Sequence, residues 1–249
     1  MAVKSAERVL RIFEHLSAYP DGQTINEIST QLGYAASSTH ALLKTLLENG
    51  YLYIDEMKRY MLGPKLIQLG KSASSHMSIN KIAQPLLEET MEELEETIFM
   101  AVLFKEEVTY VAKANSYKTV TTNAQIGSRK PIYCTGLGKV FLAFMDTDER
   151  SLILNNLDFK KFTNNTATSK EALLKQLVSF KSQGYAIDDE EIEEGLYCIA
   201  VPVFDASKRV IAALSASGPK QRMLSKKEHI IKKMLSVSHL LSYQLGDVK

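Results

Sequence analysis

From Thr24 to Gly50 the sequence carries two short amphipathic helical patterns that meet at one glycine, and few folds accept that arrangement. Thr24 followed by Glu27 is the signature of a capping box, in which hydroxyl and carboxylate each satisfy an orphan backbone N–H at a helix start. Ile25, Ile28 and Leu32 then recur on one face, so the spacing predicts a helix that closes at Gly33, where glycine supplies the sharp turn. Ala35 to Glu48 predicts the next helix, with Leu42, Leu43, Leu46 and Leu47 as its apolar side and Asn49-Gly50 as its left-handed cap. Upstream, Val9, Leu10, Ile12, Phe13 and Leu16 predict a helix over Ser5–Ala18, broken by Tyr19-Pro20-Asp21-Gly22. Two short helices joined by a glycine turn are the helix-turn-helix arrangement, whose second helix fits the major groove of duplex DNA.

The opening of that second helix is made for the task. Ser37, Ser38, Thr39 and His40 are short enough to let the helix enter a groove and can hydrogen-bond base edges or phosphates, and Lys44 adds charge one turn on. The plainer alternative is that Ser37 and Ser38 only cap the helix. Tyr51 to Ile54 and Arg59 to Leu62 flank a polar stretch and read as a hairpin. Directly behind a recognition helix a hairpin is a wing, and Lys58 and Arg59 at its tip are placed to reach phosphates.

With 249 residues the chain is long enough for one large domain or two modest ones. Its 45% apolar and 24% charged residues exclude a disordered chain or a fibre. No apolar run reaches the roughly 20 residues of a membrane helix and no signal-peptide pattern opens the sequence, so a cytoplasmic protein with no membrane partner is expected. Two cysteines, Cys134 and Cys198, are too few for a disulfide framework, and no motif implies a metal or another cofactor. The net charge of +1 conceals unlike segments. Residues 1–75 carry eight basic and seven acidic residues, residues 76–110 two and eight, and residues 204–249 nine and three. The glutamates between Glu88 and Glu96 make the second of these a poor partner for a polyanion.

Val3 to Leu10, the segment Leu32-Gly33 to Leu47, Gly50-Tyr51 and Tyr60 to Pro64 together resemble the IclR family of bacterial transcription regulators. The resemblance continues through Ile126-Gly127 with Pro131, Thr135-Gly136-Leu137-Gly138-Lys139, Gly184 to Glu190, and Gly195 to Val203, in order and nearly over the whole chain. It implies an α+β protein of two domains: a winged helix-turn-helix at 1–63, a linker helix and hinge at 64–75 containing Ser72-Ala73-Ser74-Ser75, and a GAF-like effector-binding domain at 76–249, a curved antiparallel sheet with helices. One departure stands out. Ala41 occupies the middle of the recognition helix where the family usually has Arg, and Ala35-Ala36 replaces its Pro-Lys, so weaker nonspecific attraction to phosphate is expected.

In the C-terminal part, apolar and β-branched runs predict strands at Ile98–Phe104, Val108–Ala114, Tyr197–Phe204 and Val210–Ser217. Helices are predicted at Asn80–Glu96, Gly136–Phe144, Thr147–Leu154, Ser169–Gln183 and Ser225–Leu245. The acidic run Asp188 to Glu194 reads as a solvated strand entrance, not a cation loop. Cys198 has no neighbouring base to activate it and reads better as a cavity wall. Ser215 and Ser217, two apart on a strand, send two hydroxyls to one face, the plainer alternative being ordinary packing between strand and helix, and Gly136 opens a helix whose free N–H groups suit a carboxylate. In the family, positions resembling Thr135, Gly136, Asp188, Cys198, Ser215 and Ser217 hold a small acid. With no Lys or Arg among these, anchoring by neutral donors is expected.

The expected function is a DNA-binding regulator, a repressor by preference, whose operator affinity a small carboxylate-bearing effector modulates. One short recognition helix reads few base pairs, so the expected partners are double-stranded DNA with a near-palindromic operator and further copies of the chain, as dimer or tetramer. The rival readings are a small-molecule enzyme or sensor using Cys198 or Cys134, and an architectural DNA binder without a ligand.

Overall fold

The computed structural model describes residues 3–69, 79–122 and 124–247. The chain divides into two compact units, Met1–Ser78 and Ile79–Lys249. Residues 64–69 are helical, while the hinge expected at Ser72–Ser75 and the boundary near Ser75 lie outside the described residues.

The first unit begins with α1 (Lys4–Ser17), α2 (Ile25–Leu32) and α3 (Ala36–Glu48), followed by β1 (Leu52–Ile54) and β2 (Tyr60–Leu62). The capping box forms as its spacing requires: the Thr24 side chain accepts from Glu27 N–H, and Thr24 N–H donates to Glu27 Oε2 at 2.7 Å. Gly33 takes φ 67°, a left-handed conformation that lets α2 stop and α3 leave in a new direction. Ile12, Leu16, Ile28, Leu43, Leu46 and Leu52 close the small core, so each helix contributes its periodic face. The hairpin pairs Leu52 with Leu62 and Ile54 with Tyr60, and a bridge from Gln23 to Tyr60 ties it to the chain just ahead of α2. At its tip Asp55 Oδ1 accepts from Arg59 N–H at 2.8 Å, and Lys58 takes φ 60°.

The second unit contains α4 (Ile79–Leu94), β3 (Thr97–Phe104), β4 (Glu107–Ala114), β5 (Arg129–Pro131), α5 (Gly136–Phe144) and α6 (Thr147–Asn156). After these come α7 (Lys170–Gln183), β6 (Ala186–Asp189), β7 (Leu196–Phe204), β8 (Val210–Pro219), α8 (Lys220–Ser225) and α9 (Lys227–Gln244). The strands form an antiparallel sheet in the order β5-β4-β3-β8-β7-β6. Strand alternation gives the sheet two apolar faces. Phe99, Ala101, Ala200 and Ala213 pack toward α5 and α7, while Ile98, Met100, Ile199 and Leu214 pack toward α4 and α9. The helix and strand bounds fall within about two residues of the periodic runs that predict them. Strands β5 and β6 and helix α8 are not announced by the sequence: β5 is Arg-Lys-Pro, β6 is half acidic and α8 has only six residues, so none shows an apolar run or a period.

Candidate DNA-reading face and effector cavity

Helix α3 presents Ser37, His40, Ala41, Lys44, Thr45 and Glu48 to solvent, spaced so that they form one continuous stripe. The structure corrects the reading of Thr39. Its side chain is fully buried and its hydroxyl donates to the Ala35 carbonyl at 3.1 Å, because position 39 lies on the stripe of Leu43 and Leu46 that faces the core. Ser38 is half-buried and also donates to Ala35 O, at 3.0 Å. Ser37, His40 and Lys44 are therefore the predicted groups on the open face, and Thr45 is one that the sequence reading missed. Lys44 lies 3.8 Å from Glu48, a pair that screens part of its charge. Lys58 and Arg59 are exposed at the wing tip.

In the second unit Thr135, Gly136, Asp188, Cys198, Ser215 and Ser217 all line one cavity of about 280 Å³. Sheet register explains the meeting. Asp188 stands opposite Cys198, and Cys198 opposite Ser217, so three strands each contribute one side chain to a single row on the α5 face. Ser215 and Ser217, two apart, bring their hydroxyls within 3.3 Å of each other. Helix α5 starts directly over this row: a Cβ on Gly136 would come within 3.2 Å of the Ala200 Cβ and 3.6 Å of the Cys198 Cβ. Thr135 caps the helix, its hydroxyl accepting from Gly138 N–H at 3.1 Å. The first N–H groups of a helix have no intrahelical acceptor, and both Gly136 and Leu137 line the cavity.

The expectation of a solvated acidic run is overturned for two of its members. Asp188 and Glu191 are buried, at 1% and 4% exposure, because the chain folds back between β6 and β7 beneath α5 and α7. Glu191 pairs with the buried ammonium of Lys139, and Gln176 Nε2 donates to the same carboxylate oxygen at 3.3 Å. Thr166 Oγ1 donates to the Glu191 carbonyl at 2.6 Å, which fixes the loop. Lys139, Gln176 and Thr166 are structural partners of this loop that the sequence reading missed, since 52 residues separate Lys139 from Glu191. Burial pushes the Asp188 carboxyl up to about 7, with the Lys139 ammonium and the Glu191 backbone N–H opposing the shift. Lys130 on β5 also borders the cavity, a cation outside the set of neutral donors that the sequence names.

The cysteines are unsuited to nucleophilic work. Both are buried, and burial drives the Cys134 thiol up to about 12 and Cys198 higher still, with the Asp188 carboxylate adding to each, so neither is a thiolate near neutral pH. Among the described residues no group of three His, Cys, Asp or Glu side chains is arranged to hold a metal ion.

Comparison with known proteins assigns the chain to a family. A model of the IclR helix-turn-helix domain matches residues 5–56, and one for the C-terminal part of the bacterial transcriptional regulator IclR matches residues 71–243. The chain belongs to the IclR family. Within this family it is similar to the HTH-type transcriptional regulator KdgR of Escherichia coli (strain K12), 35% identical over 246 residues that cover 97% of this chain and 94% of that one. It is 30% identical over 224 residues to the transcriptional repressor IclR of the same organism, covering 89% and 82% of the two chains. The crystal structure of Pseudomonas aeruginosa HmgR superposes with a TM-score of 0.79 at 26% identity over 98% of each chain. As an IclR-family member the protein is a DNA-binding transcriptional regulator, and regulators of this family respond to small-molecule effectors. Among the described residues no helix is long and apolar enough to cross a membrane.

Proposed function

We propose that this regulator is a cytoplasmic repressor that binds a near-palindromic operator as a homo-oligomer, and that a small carboxylate-bearing effector in the cavity over β6, β7 and β8 alters its operator affinity. Ser37, His40 and Lys44 would read or touch the groove, with Lys58 and Arg59 on flanking phosphates. Thr135, Gly136, Asp188, Cys198, Ser215 and Ser217 would hold the acid. The observation that carries this reading is the convergence of those six residues, from separate parts of the chain, on one cavity. Serine hydroxyls and helix-start amides are donors, and a protonated Asp188 is a third kind of donor, so the lining suits an anion. Repression is supported by the relatives named as repressors. Coupling would be a population shift in which effector favours one arrangement of the two DNA-binding units in an oligomer, with the linker as hinge.

Selection from a random duplex DNA pool at two salt concentrations tests the DNA half. An enriched near-palindrome whose affinity falls with salt is expected, and a folded protein that enriches nothing overturns it. Thermal melting with a panel of small acids tests the sensor half. Shifts that disappear in the Ser215→Ala, Ser217→Ala double variant are expected, whereas shifts that persist unchanged in it reject the pocket assignment.

A further inference from the structure

We infer that the effector carries a second anionic group, a short unbranched dicarboxylate being the simplest form, and that Lys130 is the residue that selects for it. The inference rests on the cavity being the effector site, and it names the chemical class of ligand.

The placement of Lys130 follows from β5. Arg129, next to it on the strand, stands opposite Thr109 and sends its guanidinium to Glu107 at 3.5 Å. Lys130 stands opposite Val108, which is fully buried in the core on the α5 face. Alternation along the strand therefore turns Arg129 out and Lys130 in, and Lys130 borders the cavity. It is half-buried, and among the described residues no carboxylate pairs with it. The other nearby ammonium groups are already engaged: Lys139 pairs with Glu191, and Lys113 Nζ donates to the Ala124 carbonyl at 2.8 Å and lies 5.2 Å over the Phe99 ring. Tyr110, also in the lining and pushed above the ordinary phenol range by burial, stays a neutral O–H donor on this side.

The cavity thus has two unlike ends. Over β7 and β8 lie the serine hydroxyls and the start of α5, which hold one carboxylate by neutral donors. Across β3 and β4, at the β5 edge of the sheet, lies a cation that no carboxylate among the described residues neutralises. A monoacid leaves that half-buried ammonium unpaired, whereas a second carboxylate pairs it where water screens the attraction less than at the surface. The opposing charge at the mouth is Glu193, which is exposed and so strongly screened. The volume of about 280 Å³ lies at the small end of ligand cavities, which fits a short chain and not a ring system with substituents.

Calorimetric titration of the full-length protein with glutarate, valerate and 5-aminovalerate decides the matter, since the three have equal chain length and differ at one end. Glutarate is expected to bind about tenfold more tightly than valerate, an advantage that shrinks as salt is raised. Lys130→Gln should bring glutarate to the valerate level and leave valerate unchanged, Lys130→Arg should keep the preference, and Ser217→Ala should weaken both acids alike. Equal binding of glutarate and valerate to the unaltered protein overturns the inference, and that comparison needs no variant to fold. So does a Lys130→Gln effect of the same size on both acids. Tightest binding of 5-aminovalerate would put Glu193 in charge of selection and also overturn it. Binding of valerate without discrimination leaves the effector cavity standing and removes only the role of Lys130. Failure of all three acids to bind removes both.

Discussion

The proposed DNA-reading face of α3 and the proposed effector cavity would solve recognition in opposite ways. The first is local: six residues of one 13-residue helix form an exposed stripe, each reaching solvent because of its own angular position. The second is assembled from three strands and a helix start, with Asp188, Cys198 and Ser217 brought into line only by antiparallel register. Charge is distributed just as differently. On α3 the lysine is exposed and paired loosely with Glu48, whereas beside the cavity Lys139 and Glu191 are paired out of reach of water. The difference teaches that the DNA face should tolerate substitution and respond to salt, while the cavity should be structurally intolerant and respond to pH.

The sharpest way to break that comparison is to unpair the buried ions. Lys139→Met leaves the Glu191 carboxylate buried with no countercharge, and a loss of about 3–5 kcal/mol of unfolding free energy is expected in urea titration. Adding Glu191→Leu should recover most of it, because two apolar side chains of similar volume carry no desolvation cost. Lys44→Ala on α3 should change stability by less than about 0.5 kcal/mol. A tolerated Lys139→Met would show that water reaches the pair.

Asp188 supplies the next effect. Its carboxyl is raised by burial from the ordinary 3.8 to about 7. Between those values the folded protein keeps a proton that the unfolded chain has released, so stability is greatest below pH 4 on this account and falls as pH rises through 7. The contribution is on the order of 4 kcal/mol, and Asp188→Asn should flatten the slope and leave the variant more stable than the parent at pH 8. Asparagine keeps an oxygen to accept from Glu191 N–H, now made at 2.8 Å to Asp188 Oδ1, so the loop should survive the change. By the same linkage, acid binding should weaken as pH rises through 7 in the parent and not in Asp188→Asn. Parallel stability curves for the two proteins would place the titration elsewhere.

How far the sequence could be read follows from the same contrast. The capping box at Thr24 and Glu27, the Gly33 turn and the leucine stripe of α3 are short-range patterns, and all appear where their spacing puts them. Thr39 was legible too: it lies four and seven residues before Leu43 and Leu46, a buried spacing that outweighs the polarity of its hydroxyl. Ser215 and Ser217 could be placed on one face because strand alternation is local, Cys198 read as a cavity wall for want of an activating base, and Asp188 was assigned to the cavity only through family resemblance. Lys139 with Glu191, and Lys130 in its three-residue strand, had no local signal at all. Their roles depend on which distant segment lands beside them.

On α3 the informative change adds charge. Ala41 sits in the middle of the exposed stripe, beside His40 and one turn from Lys44. Ala41→Arg should tighten binding to unrelated duplex DNA by about tenfold at low salt and steepen the dependence of log affinity on log salt by about 0.9, the value for one added phosphate contact. Fluorescence anisotropy over a salt series reads both quantities. A steeper slope with unchanged stability would confirm that this face tolerates what the cavity does not, while no change in slope would mean that position 41 does not approach phosphate.

The smallest expected effect tests whether the loose pair on α3 matters. Glu48 lies one turn beyond Lys44 at 3.8 Å, both exposed, an ion pair worth only a few tenths of a kcal/mol. Glu48→Gln removes a negative charge from the stripe and releases Lys44, so affinity for duplex DNA should rise about twofold to threefold at low salt. The gain should vanish near 1 M salt, where the screening length is only about 3 Å and shorter than the pair itself. Anisotropy at both salt concentrations reads it. A gain that persisted at high salt would mean that the introduced amide makes a direct hydrogen bond to the duplex, and the substitution would then be acting by contact, not through the loss of the carboxylate's field.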